Sequence, residues 1–129
     1  MHKNEVDLLV KRSKEFLDAA KERFKKNSWD LTCFMSEQAT QLFLKAIVLE
    51  KTGEHPRTHS IRELFVMIGF LTDQEIIYDR KALAFLEGAY FNSRYLSFTY
   101  TQEDAKNAIT TAEEVIKIVE NIRNLEKKT

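Results

Sequence analysis

Cysteine, proline and glycine are scarce in this chain: one, one and three among 129 residues. Cys33, being alone, cannot form an intrachain disulfide, so the fold needs no oxidising compartment. The opening Met-His-Lys-Asn-Glu-Val lacks the apolar core of a secretory leader, which predicts a cytoplasmic protein. The longest apolar runs, Leu42-Phe43-Leu44 and Ala46-Ile47-Val48-Leu49, fall well short of the roughly 20 residues a spanning helix needs. Charge of one sign is missing too. Twenty basic residues balance twenty acidic ones, so no global field draws the chain to nucleic acid, and any anion binding has to be local. There is no repeat, no low-complexity stretch and no glycine-rich phosphate loop. No Ser, His and Asp set assembles into a triad.

What remains is a chain that is 43% hydrophobic, enough for one domain over residues 1–129 to bury a core unaided. Few helix breakers and recurrent three-four spacing predict an all-α, up-and-down bundle of four or five helices. The first, from Asn4 to about Lys26, has one apolar face made by Val6, Leu9, Val10, Phe16, Leu17, Ala20 and Phe24. The second, about Trp29 to Lys51, is apolar over a wider arc and is expected at the centre. Three later starts carry capping-box patterns, Ser60 with Glu63, Thr72 with Glu75 and Thr101 with Asp104. These place a short helix ending near Gly69, a fourth from about Asp73 to Ala89 and a long fifth from about Gln102 to Lys127. Tyr95 to Tyr100 reads as a short strand or an aromatic loop packed on the bundle.

The residues with chemistry gather in three places. The segment from Gly53 to Leu64 holds the only proline, two histidines and two arginines, and loops need not carry such groups for packing. His55 and His59 stand four apart, but Pro56 and the cap at Ser60 keep them off a helix, so the spacing implies no metal site. His59 either packs against a helix start or, with Arg57 and Arg62, forms a polar patch beside the third helix, whose free amides favour an anion. On the second helix Glu37, Gln38, Gln41 and Lys45 interrupt the apolar surface, and the last three share one face. An enclosed helix needs partners for such groups, in a cleft or a second subunit. In the third place, Arg94 supplies a fixed guanidinium fork suited to phosphate or to a structural carboxylate, and Tyr95 a ring that can stack on a base.

Cys33-Phe34, Glu37-Gln38-Ala39, Gln41, Leu44-Lys45-Ala46, then Gly53, Pro56-Arg57-Thr58-His59-Ser60-Ile61-Arg62-Glu63-Leu64, then Ser93-Arg94-Tyr95, taken in order, resemble the small prokaryotic HEPN domain proteins. The resemblance runs from about Trp29 to Leu125. It implies a helical bundle, commonly dimeric, that handles nucleotides or RNA and is often paired with a minimal nucleotidyltransferase as toxin and antitoxin. Many members are metal-independent ribonucleases with an arginine followed, after a short spacer, by a histidine. Here the corresponding positions after Arg94 are Thr99, Tyr100 and Thr101, and no histidine follows His59. Gln41 stands where a glutamate is frequent, and Leu96 where the minimal subgroup often has proline.

Three expectations follow from residues and resemblance together. The first is a protein without cofactor or metal, binding a nucleotide or RNA phosphate between Arg94, Tyr95, Lys45, Gln38, Gln41, His59, Arg57 and Arg62, beside a nucleotidyltransferase partner. The second is a ribonuclease in which His59 does the acid-base work and Arg94 steadies the phosphate. The third is a purely structural homodimer whose polar central residues fix subunit register, with Phe91, Phe98, Tyr100 and the face of the second helix at its interface.

Overall fold

The computed structural model describes the backbone of residues 2–95 and 99–128, with side chains through Asn92 and again from Thr99. Leu96, Ser97 and Phe98, the middle of the expected strand or aromatic loop, lie outside the described residues, as do the side chains of Arg94 and Tyr95. Five helices make the bundle: α1 Lys3–Lys25, α2 Trp29–Thr52, α3 Ile61–Thr72, α4 Arg80–Tyr95 and α5 Gln102–Lys127. No strand occurs among the described residues.

Local chemistry sets most boundaries. α1 stops where Asn27 turns left-handed at φ 61° and Ser28 N–H reaches back to Arg23 O at 2.9 Å, satisfying a carbonyl the helix leaves open. α2 stops at Gly53, whose φ of 77° suits glycine, with its N–H on Leu49 O at 2.8 Å. α5 begins with the complete capping box of Thr101 and Asp104.

The expected cap at Thr72 does not form. Thr72 Oγ1 donates to Ile68 O within the last turn of α3, Asp73 takes φ 53°, and Gln74 N–H closes on Gly69 O at 3.1 Å. Glycine suits position 69, because a Cβ there would stand 3.2 Å from the Gln74 carbonyl oxygen. α3 therefore runs three residues past Gly69. α4 starts at Arg80, not Asp73: Asp79 Oδ1 accepts from Lys81 N at 2.9 Å, and Asp79 O takes the first helical bond from Leu83 N.

α2 packs against all four other helices, as its wide apolar arc requires. The core joins Phe43, Leu44 and Ile47 of α2 to Ile61, Leu64 and Ile68 of α3, Leu86 of α4 and Val115 and Val119 of α5. The side chains that α1 buries include two small ones, Ser13 and Ala20, and Ser13 Oγ donates to Ala39 O of α2 at 2.6 Å. Thr32, Ser36 and Thr40 are buried polar residues on α2, each hydroxyl donating to the carbonyl four residues back. At the far end Arg123 of α5 grips Glu50 of α2 with two bonds of 2.9 Å, and Lys51 pairs with Glu126. At the near end Tyr100 N donates to Asp30 Oδ1, tying the start of α5 to the start of α2.

Candidate functional site

Glu37, Gln41 and Lys45 recur every four residues on α2, so they form a single stripe, and Gln38 flanks it. The stripe begins deep. Glu37 is 0% exposed and Gln41 4%, whereas Lys45 is half-buried and reaches the surface. Each oxygen of the Glu37 carboxylate takes one amide: Gln38 Nε2 donates at 2.8 Å and Gln41 Nε2 at 2.7 Å. Burial pushes the Glu37 carboxyl up to about 7, further than the two amides and Lys45 can restore it.

When ionised, Glu37 only accepts, and it then fixes which way the Gln41 amide faces. Gln41 Oε1 is thereby turned outward, 3.1 Å from His59 Nδ1. Lys45 Nζ lies 2.9 Å from the same nitrogen. The Lys45 charge, with some burial, holds His59 below its ordinary value, so its imidazole is neutral at physiological pH. Burial likewise lowers Lys45, partly opposed by Glu37.

The loop that carries His59 is pinned on both sides. Thr58 Oγ1 accepts from Ser60 N at 3.0 Å and donates to Glu63 Oε2. Ser60 caps α3 by accepting from Glu63 N, and its own hydroxyl donates to Glu87 Oε1 of α4 at 2.7 Å. The expected capping box is therefore half made, with the Glu63 carboxylate spent on Thr58. Beyond the loop, Tyr90 of α4 lies flat against His59, ring centroids 5.4 Å apart and planes within 12°.

The positions expected to bind phosphate divide accordingly. Gln38, Gln41, Lys45 and His59 come together. Arg62 does not join them: its guanidinium grips Glu87 at 2.9 Å, and Glu87 also accepts from Arg62 N and Ser60 Oγ. The anion at the amino end of α3 is thus the protein's own carboxylate. Burial would raise Glu87, but the bonds from Arg62 and Ser60 outweigh it and hold it below the usual range. Arg57 is exposed and lies along a different groove, with Val48, Thr52 and Met67. His55 turns away to Glu5 Oε2 at 2.8 Å, so the two loop histidines have different partners, a carboxylate for His55 and an amide and an ammonium for His59. Arg94 and Tyr95 occupy the last turn of α4, Arg94 one turn beyond Tyr90.

Sequence reasoning missed Tyr90 and the part played by Glu37. Tyr90 sits in an apolar run where any aromatic reads as core, and only its four-residue offset from Arg94 hinted at a shared stripe. Glu37 was visible as an interruption, but its place as anchor for both glutamines needed the fold. Among the described residues no three His, Cys, Asp or Glu side chains are grouped to hold a metal, and no helix is long and apolar enough to cross a membrane.

The arrangement can present a cation, a neutral imidazole and an aromatic face to one ligand, over a buried acid. Comparison with known proteins agrees on the frame. The crystal structure of TT1696 from Thermus thermophilus superposes with a TM-score of 0.74 over 92% of this chain and 98% of that one, at 22% identity. A second structure, ST0689, an archaeal HEPN homologue, gives 0.67 over 90% and 95%, at 23% identity. At such identities the likeness is one of fold. No curated protein sequence matches. The model of the HEPN domain matches residues 6–122, nearly the whole bundle including the His59 loop and both helices that flank it, and the chain belongs to the HEPN domain family.

Proposed function

We propose that this HEPN protein binds the phosphate of a nucleotide or RNA at the surface formed by Lys45, His59 and Tyr90, over Gln38 and Gln41. One observation carries the reading. Lys45 brings a half-buried positive charge to an aromatic stack, and among the described residues no carboxylate pairs with it directly. A phosphate oxygen would supply the missing anion, and the His59 and Tyr90 rings lie where a base or ribose could pack. Arg94, one turn beyond Tyr90 on α4, is the natural second cation. Arg62 contributes indirectly, holding Glu87 and with it the loop, and Arg57 contributes only to the outer field. The family resemblance supports a homodimer working beside a separate minimal nucleotidyltransferase in a toxin and antitoxin pair.

Calorimetric titration with a nucleotide and with a short RNA tests the reading. Lys45→Ala should weaken binding about 10-fold or more, the size of one lost charge-assisted bond, and Arg94→Ala should do likewise. Unchanged affinity in folded variants removes the site. Mass spectrometry of material copurifying from the native host tests the companion.

A second reading has its own motive. The Tyr90 stack sets a neutral imidazole against α4 one turn before Arg94, a pairing that could cleave RNA without metal. RNA left intact by concentrated wild-type protein would end it. Loss of cleavage in both His59→Ala and Arg94→Ala would support it.

A further inference from the structure

Two groups of opposite character meet one ring nitrogen. Lys45 Nζ lies 2.9 Å from His59 Nδ1, and Gln41 Oε1 lies 3.1 Å from it. An ammonium can only donate, so its bond needs a lone pair on Nδ1. An amide oxygen can only accept, so its bond needs a proton there. The nitrogen satisfies one of them at a time. Where Glu37 is ionised, as at pH 8, Gln41 cannot turn over to settle the conflict, because its Nε2 is held by Glu37 Oε2 at 2.7 Å. Turning would set an amide oxygen against a carboxylate oxygen at a residue that is 0% exposed. In a neutral imidazole the proton absent from one nitrogen sits on the other. With Lys45 bonded to Nδ1, the outer nitrogen Nε2 therefore carries the proton. With Lys45 drawn away, Gln41 claims a proton on Nδ1, and Nε2 is bare.

We propose that Gln41, anchored by the buried Glu37, is a positioning residue that sets the tautomer of His59, and that a phosphate pulling Lys45 outward converts Nε2 from a donor to a lone pair. The second half rests on the phosphate reading above. The proton count is unchanged, since Nε2 releases one proton to water and Nδ1 takes one up. An empty site thus meets an arriving anion with two donors, the ammonium and Nε2–H. A loaded site sets a free base beside the bound phosphate, positioned to accept from a hydroxyl of the ligand.

Heteronuclear NMR of isotope-labelled protein tells protonated from bare ring nitrogens, and near pH 8, about 1.5 units above the ordinary histidine value, the ring is neutral. Wild type without ligand should hold His59 mostly as Nε2–H. Lys45→Met should move it mostly to Nδ1–H with no ligand present. Adding Glu37→Gln, which frees the Gln41 amide to turn, should erase that preference. If this double variant does not fold, Gln41→Met in its place is read the same way. The same tautomer in wild type and Lys45→Met, or a Lys45→Met tautomer indifferent to Glu37→Gln or Gln41→Met, overturns the positioning role. Inorganic phosphate added to wild type should reproduce the Lys45→Met shift. Variants that shift while phosphate does nothing would keep the role of Gln41 and remove phosphate as the trigger.

Discussion

Glu37 is the residue with the plainest solution consequence. Its folded value, about 7, stands above the ordinary carboxyl value of 4.5, so folding favours the protonated acid. The contribution is fully present below about pH 4.5 and is lost as pH rises through about 7, amounting to roughly 3 kcal/mol. His59, held below its ordinary value, acts with the opposite sign in an overlapping window, but it is exposed and its effect is correspondingly small. Subtracting the two proteins isolates the acid. Denaturant midpoints measured at pH 5 and pH 8 should show wild type losing stability relative to Glu37→Gln on going up, and parallel curves would refute a buried, poorly solvated carboxyl. At the same scale, the site was partly legible: the spacing of Gln38, Gln41 and Lys45 showed a shared face, and the loop composition pointed to His59. Arg62 misled, because a guanidinium beside a helix start looks the same in sequence whether it awaits a ligand or grips Glu87.

At the scale of elements, the start of α4 separates pattern from physics. Thr72 and Glu75 have the right types at the right spacing, yet Gly69 and Asp73 stop α3 there and Asp79 starts the next helix. Asp79→Ala should cost about 1 kcal/mol in urea denaturation, the usual loss of an N-cap. Glu75→Ala should leave the midpoint nearly unchanged. Nothing in the sequence ranks two caps seven residues apart, since the choice depends on whether the chain can close behind Gly69. The bounds of α1, α2 and α5 expected from periodicity and from the Thr101 and Asp104 capping box fall within a residue of those observed, and in the structure left-handed Asn27, left-handed Gly53 and that capping box set them. Gly53→Ala tests the second of these. A Cβ there would be in ordinary contact, 3.7 Å from the His2 ring, so the cost of about 1 kcal/mol comes from the left-handed backbone.

For the molecule as a whole, the all-α bundle was legible from periodicity alone, since amphipathic stretches joined by short connections have few other ways to bury their faces. The proposed homodimer belongs to this scale, and Phe91, 60% exposed beside Tyr90, is a candidate contact. Sedimentation should give twice the chain mass, and a monomer at all concentrations would rule the dimer out.

One helix lies against every other, and that arrangement orders the way the protein opens. α1 can fray from its tip, and the Arg123 and Glu50 clamp can part, with most of the interior still dry. Backbone amides of α2 around Phe43 and Ile47 are released only when all surrounding layers go at once, so in deuterium oxide they should be the slowest to exchange. The stripe of Glu37, Gln41 and Lys45 is built on that slowest segment, so its spacing persists through every local excursion short of global unfolding.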